Sequence, residues 1–168
     1  MLACYDSALP QVYGYLLRRC GTRDVAEELT SQTFLAAADA VRRSHPPVLD
    51  VAWLIGVARH KLADHWRRAG REQRNLHAMH ADPTVGTWVD DPWDARLDAL
   101  RAAQVLGAVA PQFRLALTLR YVDDLPVAAV AEIMARTVHA TEAVLVRARR
   151  AFRAAYLQSA GELSLIHI

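Results

Sequence analysis

The stretch from Arg147 to Arg153 carries four arginines and no acid. The stretch from Trp53 to Arg74 carries Arg59, Lys61, Arg67, Arg68, Arg71 and Arg74 against only Asp64 and Glu72. Such side chains offer noncovalent chemistry. An arginine presents a planar fork of donors that matches phosphate oxygens and the edge of guanine. Each duplex phosphate so neutralised steepens the log–log salt dependence of binding by about 0.9. Acids are segregated elsewhere, and the segment from Ala81 to Asp94 carries acids only. Lys61 is the only lysine, every other basic residue being arginine. The bias of a GC-rich genome accounts for that usage and leaves the arginine faces available for binding.

Residues suited to catalysis are sparse. His77 and His80 have ligand spacing but stand without a cysteine frame, so no metal site is expected there. His60 and His65 are five apart and face differently. The chain has no phosphate loop and no strand to carry one, and the expectation is a protein that is not an enzyme and takes no cofactor or metal. Cys4 and Cys20 form no C-x-x-C pair and read as free, buried or half-buried thiols.

The chain of 168 residues is long enough for one ordinary domain or two small ones, and its 53% hydrophobic and 23% charged content is that of a globular protein. The net charge of +2 says little about nucleic acid, because the cations are clustered. No apolar run is long enough to cross a bilayer, and MLACYDSALPQ lacks the basic flank of a secretory signal. The expected location is the cytoplasm, with no membrane partner.

Helical periodicity recurs along almost the whole chain, so the expected fold is all-α. Val12, Tyr15, Leu16 and Arg19 fall on successive turns of Leu9–Cys20, which Gly21 stops. Asp24 is the expected N-cap of the next helix, with Glu27 as its capping-box partner. That helix carries an apolar stripe of Val25, Leu29, Thr33 or Phe34, Leu35 and Val41, ending at His45-Pro46-Pro47. Asp50 caps a third helix with Trp53, Leu54, Val57, Ala58, Leu62 and Trp66 inward. NLHAMHADPTVGTWVDDPWD then reads as a flexible linker. Leu97, Leu100, Val105 and Leu106 mark a further helix that Pro111 ends or restarts. Phe113, Leu115, Leu117, Leu119 and Tyr121 mark the next. Asp123-Asp124-Leu125-Pro126 signals a helix start, with acids near the positive end of the dipole and proline in the first turn. The expected layout is an N-terminal domain over 1–73, a linker over 74–93 and a C-terminal domain over 94–156. In the tail, 157–168, the β-like LSLIHI of GELSLIHI breaks the pattern and is set aside as a cloning or read-through remnant.

Within LPVAAVAEIMARTVHATEAVLVRARRAF, a short helix, the turn Ala135-Arg136-Thr137 and a helix capped by Thr137 have the outline of a helix-turn-helix. The inward set is Val130, Ile133, Met134, Val138, Thr141, Leu145, Ala148 and Phe152. The outward set is His139, Glu142, Ala143, Val146, Arg147, Arg149, Arg150 and Arg153. Glu142 can accept from a cytosine amine in the major groove. Periodicity alone leaves a solvated arginine face as good a reading as DNA binding.

More specific is the register of Leu119-Arg120-Tyr121, Leu125, Val130-Ala131-Glu132, Leu145 and Arg147-Ala148-Arg149. Together these resemble the promoter-reading C-terminal domain of the extracytoplasmic-function sigma factors of bacterial RNA polymerase. In the first half, Ala26-Glu27-Glu28-Leu29 and Thr33-Phe34-Leu35 resemble the core-binding segment of that family, with Gln32 where glutamate is usual. Trp53, Leu54, Ala58, Arg59, Asp64, Arg67 and Arg68 resemble its −10 segment, with His60 in place of asparagine.

The resemblance runs from Tyr5 to Tyr156 and implies a promoter-specificity subunit. Glu27, Glu28, Ser31 and Gln32 would dock on the clamp helices of the largest polymerase subunit. Arg59, His60, Lys61, Arg67 and Arg68 would hold the opened −10 strand. His139, Glu142, Val146, Arg147 and Arg150 would read the −35 element of promoter DNA. An anti-sigma factor is a further partner class that the family implies, without a residue here that identifies it. Ala135 departs from the usual turn glycine, at a cost of about 1–2 kcal/mol if its backbone is left-handed. Glu142, Ala143 and Val144 depart at the base-facing end, which implies a different −35 sequence. The alternatives are a stand-alone helix-turn-helix regulator binding duplex DNA and a helical adaptor whose basic faces are only solvated.

Overall fold

The computed structural model describes residues 2–76 and 95–164, all of whose regular elements are helical. The side chains of Cys4, Leu97 and Leu100, residues 77–93 of the expected linker with His77 and His80, and residues 165–168 lie outside that description. The chain divides into two compact units, 1–66 and 67–168, with the division inside the third helix.

In the first unit, α1 (Leu2–Cys20) packs on α2 (Arg23–Ala40). The sharp turn between them needs Gly21, whose φ of +79° is costly for a residue with a Cβ. Ala8, Val12, Tyr15 and Leu16 of α1 face Ala26, Leu29, Thr33, Ala37 and Ala40 of α2 as the buried set. The small alanines on α2 favour close helix approach, and Thr30 and Thr33 return their hydroxyls to the carbonyls of Ala26 and Leu29. α1 begins seven residues before the expected Leu9, so Pro10 lies inside it. Edge-to-face packing of Tyr5 on Phe34, with 4.7 Å between centroids, holds those extra turns.

Asp24 is not the cap expected of it. α2 starts at Arg23, the N-cap position falls to Thr22, and Glu27 pairs with Arg23 at 3.9 Å. Asp24 sits in the first turn, where its charge still complements the helix dipole. Leu35, expected inward, is 62% exposed. At roughly 100° per residue it falls opposite Ala26, Thr33 and Ala37. Asp50 does cap α3 (Val51–Leu76), its Oδ1 accepting from the Trp53 amide at 2.7 Å. α3 runs through Leu76, so the first three positions of the expected linker are helical.

The second unit is organised by α7 (Val138–Ser164), which contacts α4 (Ala95–Ala108), α5 (Pro111–Leu117) and α6 (Val127–Ile133). Pro111 restarts the chain at the first position of α5, where its missing N–H is no loss. Val105, Leu115, Leu119, Val130, Met134, Thr141, Val144, Leu145 and Ala148 are buried together. α7 continues eight residues past the expected end at 156, so Leu163 and Ser164 of the supposed β-like tail are helical.

Candidate nucleic-acid interface

The turn between α6 and α7 is a complete C-terminal cap. The Arg136 amide bonds the Ala131 carbonyl at 2.9 Å, and the Ala135 amide bonds the Glu132 carbonyl at 3.0 Å. This pair of bonds is the Schellman arrangement, which requires a left-handed residue between them. Ala135 fills that position at φ +53°, where glycine is usual. Thr137 then caps α7, its Oγ1 accepting from the Ala140 amide at 3.1 Å. Local hydrogen bonds therefore determine the angle at which α7 leaves the turn.

α7 has a buried arc of Thr141, Val144, Leu145 and Ala148 and an exposed arc opposite it. His139, Glu142, Val146, Arg147 and Arg150, the expected −35 set, are all exposed, so one helix surface brings them together. His139, Ala143, Val146 and Arg150 form its centre. Glu142 and Arg147 lie on opposite flanks by helical rotation. Arg147 folds its Nε onto its own helix, 3.3 Å from the Ala143 carbonyl. Two expectations fail. Val144, grouped with the base-facing residues, is 1% exposed and belongs to the core, so its difference from the family says nothing about the −35 sequence. Val138, expected inward, is 46% exposed in the first turn, ahead of the point where α7 meets its neighbours.

Between α5 and α6 the chain makes a π-turn, Thr118–Val122, that periodicity did not anticipate. The Asp123 amide reaches the Thr118 carbonyl at 2.9 Å, and the Leu125 amide reaches Leu119 at 3.0 Å. Asp124 is left-handed at φ +52°, a conformation that aspartate tolerates better than most residues. Arg120 braces the turn, with Nη1 3.6 Å from the Asp124 carboxylate and 3.4 Å from the Leu125 carbonyl. Asp124 thus serves the turn rather than the first turn of α6, and Pro126 is the N-cap rather than a first-turn residue. Tyr121, expected on an apolar stripe, is 52% exposed, and its hydroxyl accepts from Arg149 Nη1 at 3.0 Å. That contact joins residues 28 apart in sequence and was not legible from either segment.

On α3, Leu54, Ala58, Leu62, Ala63 and Trp66 are buried. His60 and Arg68 are exposed, and Arg59, Lys61 and Arg67 are half-buried. By helical rotation His60 and Arg67 share the outer side of α3, Lys61 and Arg68 fall together on one flank, and Arg59 falls on the other. The Arg59 guanidinium lies 5.8 Å from the centre of the Tyr15 ring, which Arg19 also covers at 3.7 Å. This cation–π contact ties Arg59 to α1 and limits its rotamers.

The expected polymerase-facing residues of α2 divide into two pairs. Gln32 donates to Glu28 at 2.7 Å on the exposed surface. Glu27 and Ser31 instead line an open groove of about 580 Å³ with Tyr5, Leu9, Pro10, Tyr13, Thr30, Phe34 and Leu35. The exposed Leu35 is its apolar rim, a role hidden by assigning every leucine of α2 to the core.

Among the described residues, no helix is long and apolar enough to cross a membrane. Residues 4–72 match the Sigma-70 region 2 family. The chain is 32% identical over 156 residues to the ECF RNA polymerase sigma factor BldN of Streptomyces coelicolor, covering 87% of this chain and 56% of that protein. It thus spans about half the length of this curated relative. In fold it is similar to the sigma factor RpoE in its co-crystal structure with the anti-sigma factor NepR from Bartonella quintana. That alignment has a TM-score of 0.54 and 18% identity, over 90% of this chain and 92% of the other. At this identity the likeness is one of fold.

Proposed function

We propose that this chain is an extracytoplasmic-function sigma factor, which binds core RNA polymerase and directs promoter recognition and opening. The observation that carries the reading is the match of residues 4–72 to Sigma-70 region 2. A helix-turn-helix alone serves many regulators, but region 2 in the same chain favours a polymerase subunit. The proposed division assigns 1–73 to core binding and the −10 element, 74–93 to a linker and 94–156 to the −35 element.

Glu27, Glu28, Ser31 and Gln32 dock on the clamp helices of the largest subunit, with the neighbouring groove taking an apolar side chain. Arg59, His60, Lys61, Arg67 and Arg68 hold the opened −10 strand through phosphates, so melting is driven by capture of single strand. His139, Glu142, Val146, Arg147 and Arg150 meet the −35 duplex. The protein itself catalyses nothing and acts in the cytoplasm, and an anti-sigma factor is a regulatory partner of the class seen with the solved relative.

The test adds the full chain to core polymerase and selects transcribed promoters from a random library. The expected result is core binding and initiation at a shared two-element motif. Absence of both overturns the reading. Arg147→Ala is expected to weaken closed-complex formation, and Arg59→Ala to slow opening more than it weakens the closed complex.

A further inference from the structure

The π-turn gives Tyr121 a position that a regular helix would not. One additional residue in a turn rotates everything after it by roughly 100°. Thr118 and Leu119 therefore stay in the core while Tyr121 and Val122 emerge at 52% and 57% exposure. The turn is braced by the left-handed Asp124 and by Arg120, whose guanidinium carbon also stands 5.5 Å from the Tyr121 ring centre. A phenol on a braced turn is a rigid acceptor, and the group it holds is the Arg149 guanidinium of α7.

Arg149 follows Arg147 by two residues, roughly 200° around the helix, so the two leave α7 on nearly opposite flanks. A helix in the major groove presents its centre to base edges and its flanks to the sugar–phosphate walls. Arg149 is exposed, and one of its terminal nitrogens is engaged by Tyr121. An exposed arginine otherwise samples many rotamers, and a tether reduces the ordering cost of a phosphate contact.

We infer that Arg149 is a phosphate contact on the flank of α7 opposite Arg147, and that Tyr121 is the positioning residue that holds it there. The inference rests on the reading of α7 as the duplex-facing helix.

The test measures binding of the full chain to a short duplex of mixed sequence across a range of salt concentrations. Arg149→Ala is expected to lower the log–log salt slope by about 0.9. Tyr121→Phe is expected to weaken binding about fivefold, and to do so only when Arg149 is present. An Arg149→Ala variant that melts earlier yet keeps the parental slope makes the pair a structural tie and overturns the inference. So does a Tyr121→Phe effect that persists undiminished beside Arg149→Ala. Arg150→Ala separates the two levels of failure. If it lowers the slope while Arg149→Ala does not, this inference alone falls. If neither does, the reading of α7 falls as well.

Discussion

The Arg136 amide donates to the Ala131 carbonyl at 2.9 Å, and this bond obliges Ala135 to adopt a left-handed backbone at φ +53°. The hydrogen bonds that end α6 outweigh the crowding of the alanine Cβ. Ala135→Gly removes that crowding while leaving the bonds in place. It is expected to stabilise the second unit by about 1 kcal/mol, raising its melting temperature by several degrees. Calorimetry on the two proteins checks this. An unchanged or lowered transition would mean that glycine's larger unfolded-state entropy offsets the relief.

Asp50 is the corresponding local device in the first unit. Its Oδ1 accepts from the Trp53 amide at 2.7 Å, and its charge faces the positive end of the α3 dipole. Asp50→Ala is expected to cost about 1 kcal/mol, and Asp50→Asn much less, because the amide oxygen still caps. Urea titrations of the three proteins test the order. Equal losses for alanine and asparagine would locate the effect in the charge rather than in the cap.

Glu142 is exposed on the same outer surface as His139 and Arg150. A carboxylate there repels a phosphate wall. Glu142→Gln is expected to tighten binding to duplex of mixed sequence about threefold at low salt, from a charge–charge distance of several ångströms in water. The gain shrinks as salt screens the repulsion. Weaker binding to mixed sequence after this change would contradict the orientation of α7 argued above.

Cys20 is buried at the end of α1, and burial pushes its thiol up to about 11, against a smaller opposing pull from Arg19. The folded thiol therefore holds its proton at a pH where the unfolded thiol has lost it. Its contribution to stability is complete below about pH 9 and is lost as pH rises to about 11. The difference in melting temperature between the parent and Cys20→Ala is expected to move in the variant's favour across that window. A difference independent of pH would refute the shift. A thiol reagent at neutral pH is expected to reach Cys20 only on unfolding.

Much of the candidate site was legible in order along the chain, because it depends on local rules. Asp50 and Thr137 cap the helices they were expected to cap, since the side chain reaches an amide three residues on. The Asp24 assignment failed by a small shift, because Gly21 ends α1 in one residue and leaves the N-cap to Thr22. The errors of facing have a different cause. On α2 the buried Ala26, Leu29, Thr30, Thr33, Ala37 and Ala40 span about 100° of rotation, and Leu35 falls opposite their centre. On α7 the buried Thr141, Val144, Leu145 and Ala148 span a similar arc, with Val144 at its edge. Both facings follow from rotation about the buried set, which residue type alone does not give.

By itself, the sequence determined the all-helical class, the two caps, the helix-turn-helix outline and the clustering of arginines on α3 and α7. These follow from spacing and side-chain type within a few turns. Only the tertiary structure decided that Tyr121 faces Arg149 and that Tyr15 lies beneath Arg59. Both relationships join segments far apart in the chain. The first also needs the one-residue rotation of a π-turn, which is held by backbone bonds and a left-handed Asp124 that no repeat of 3.6 residues encodes.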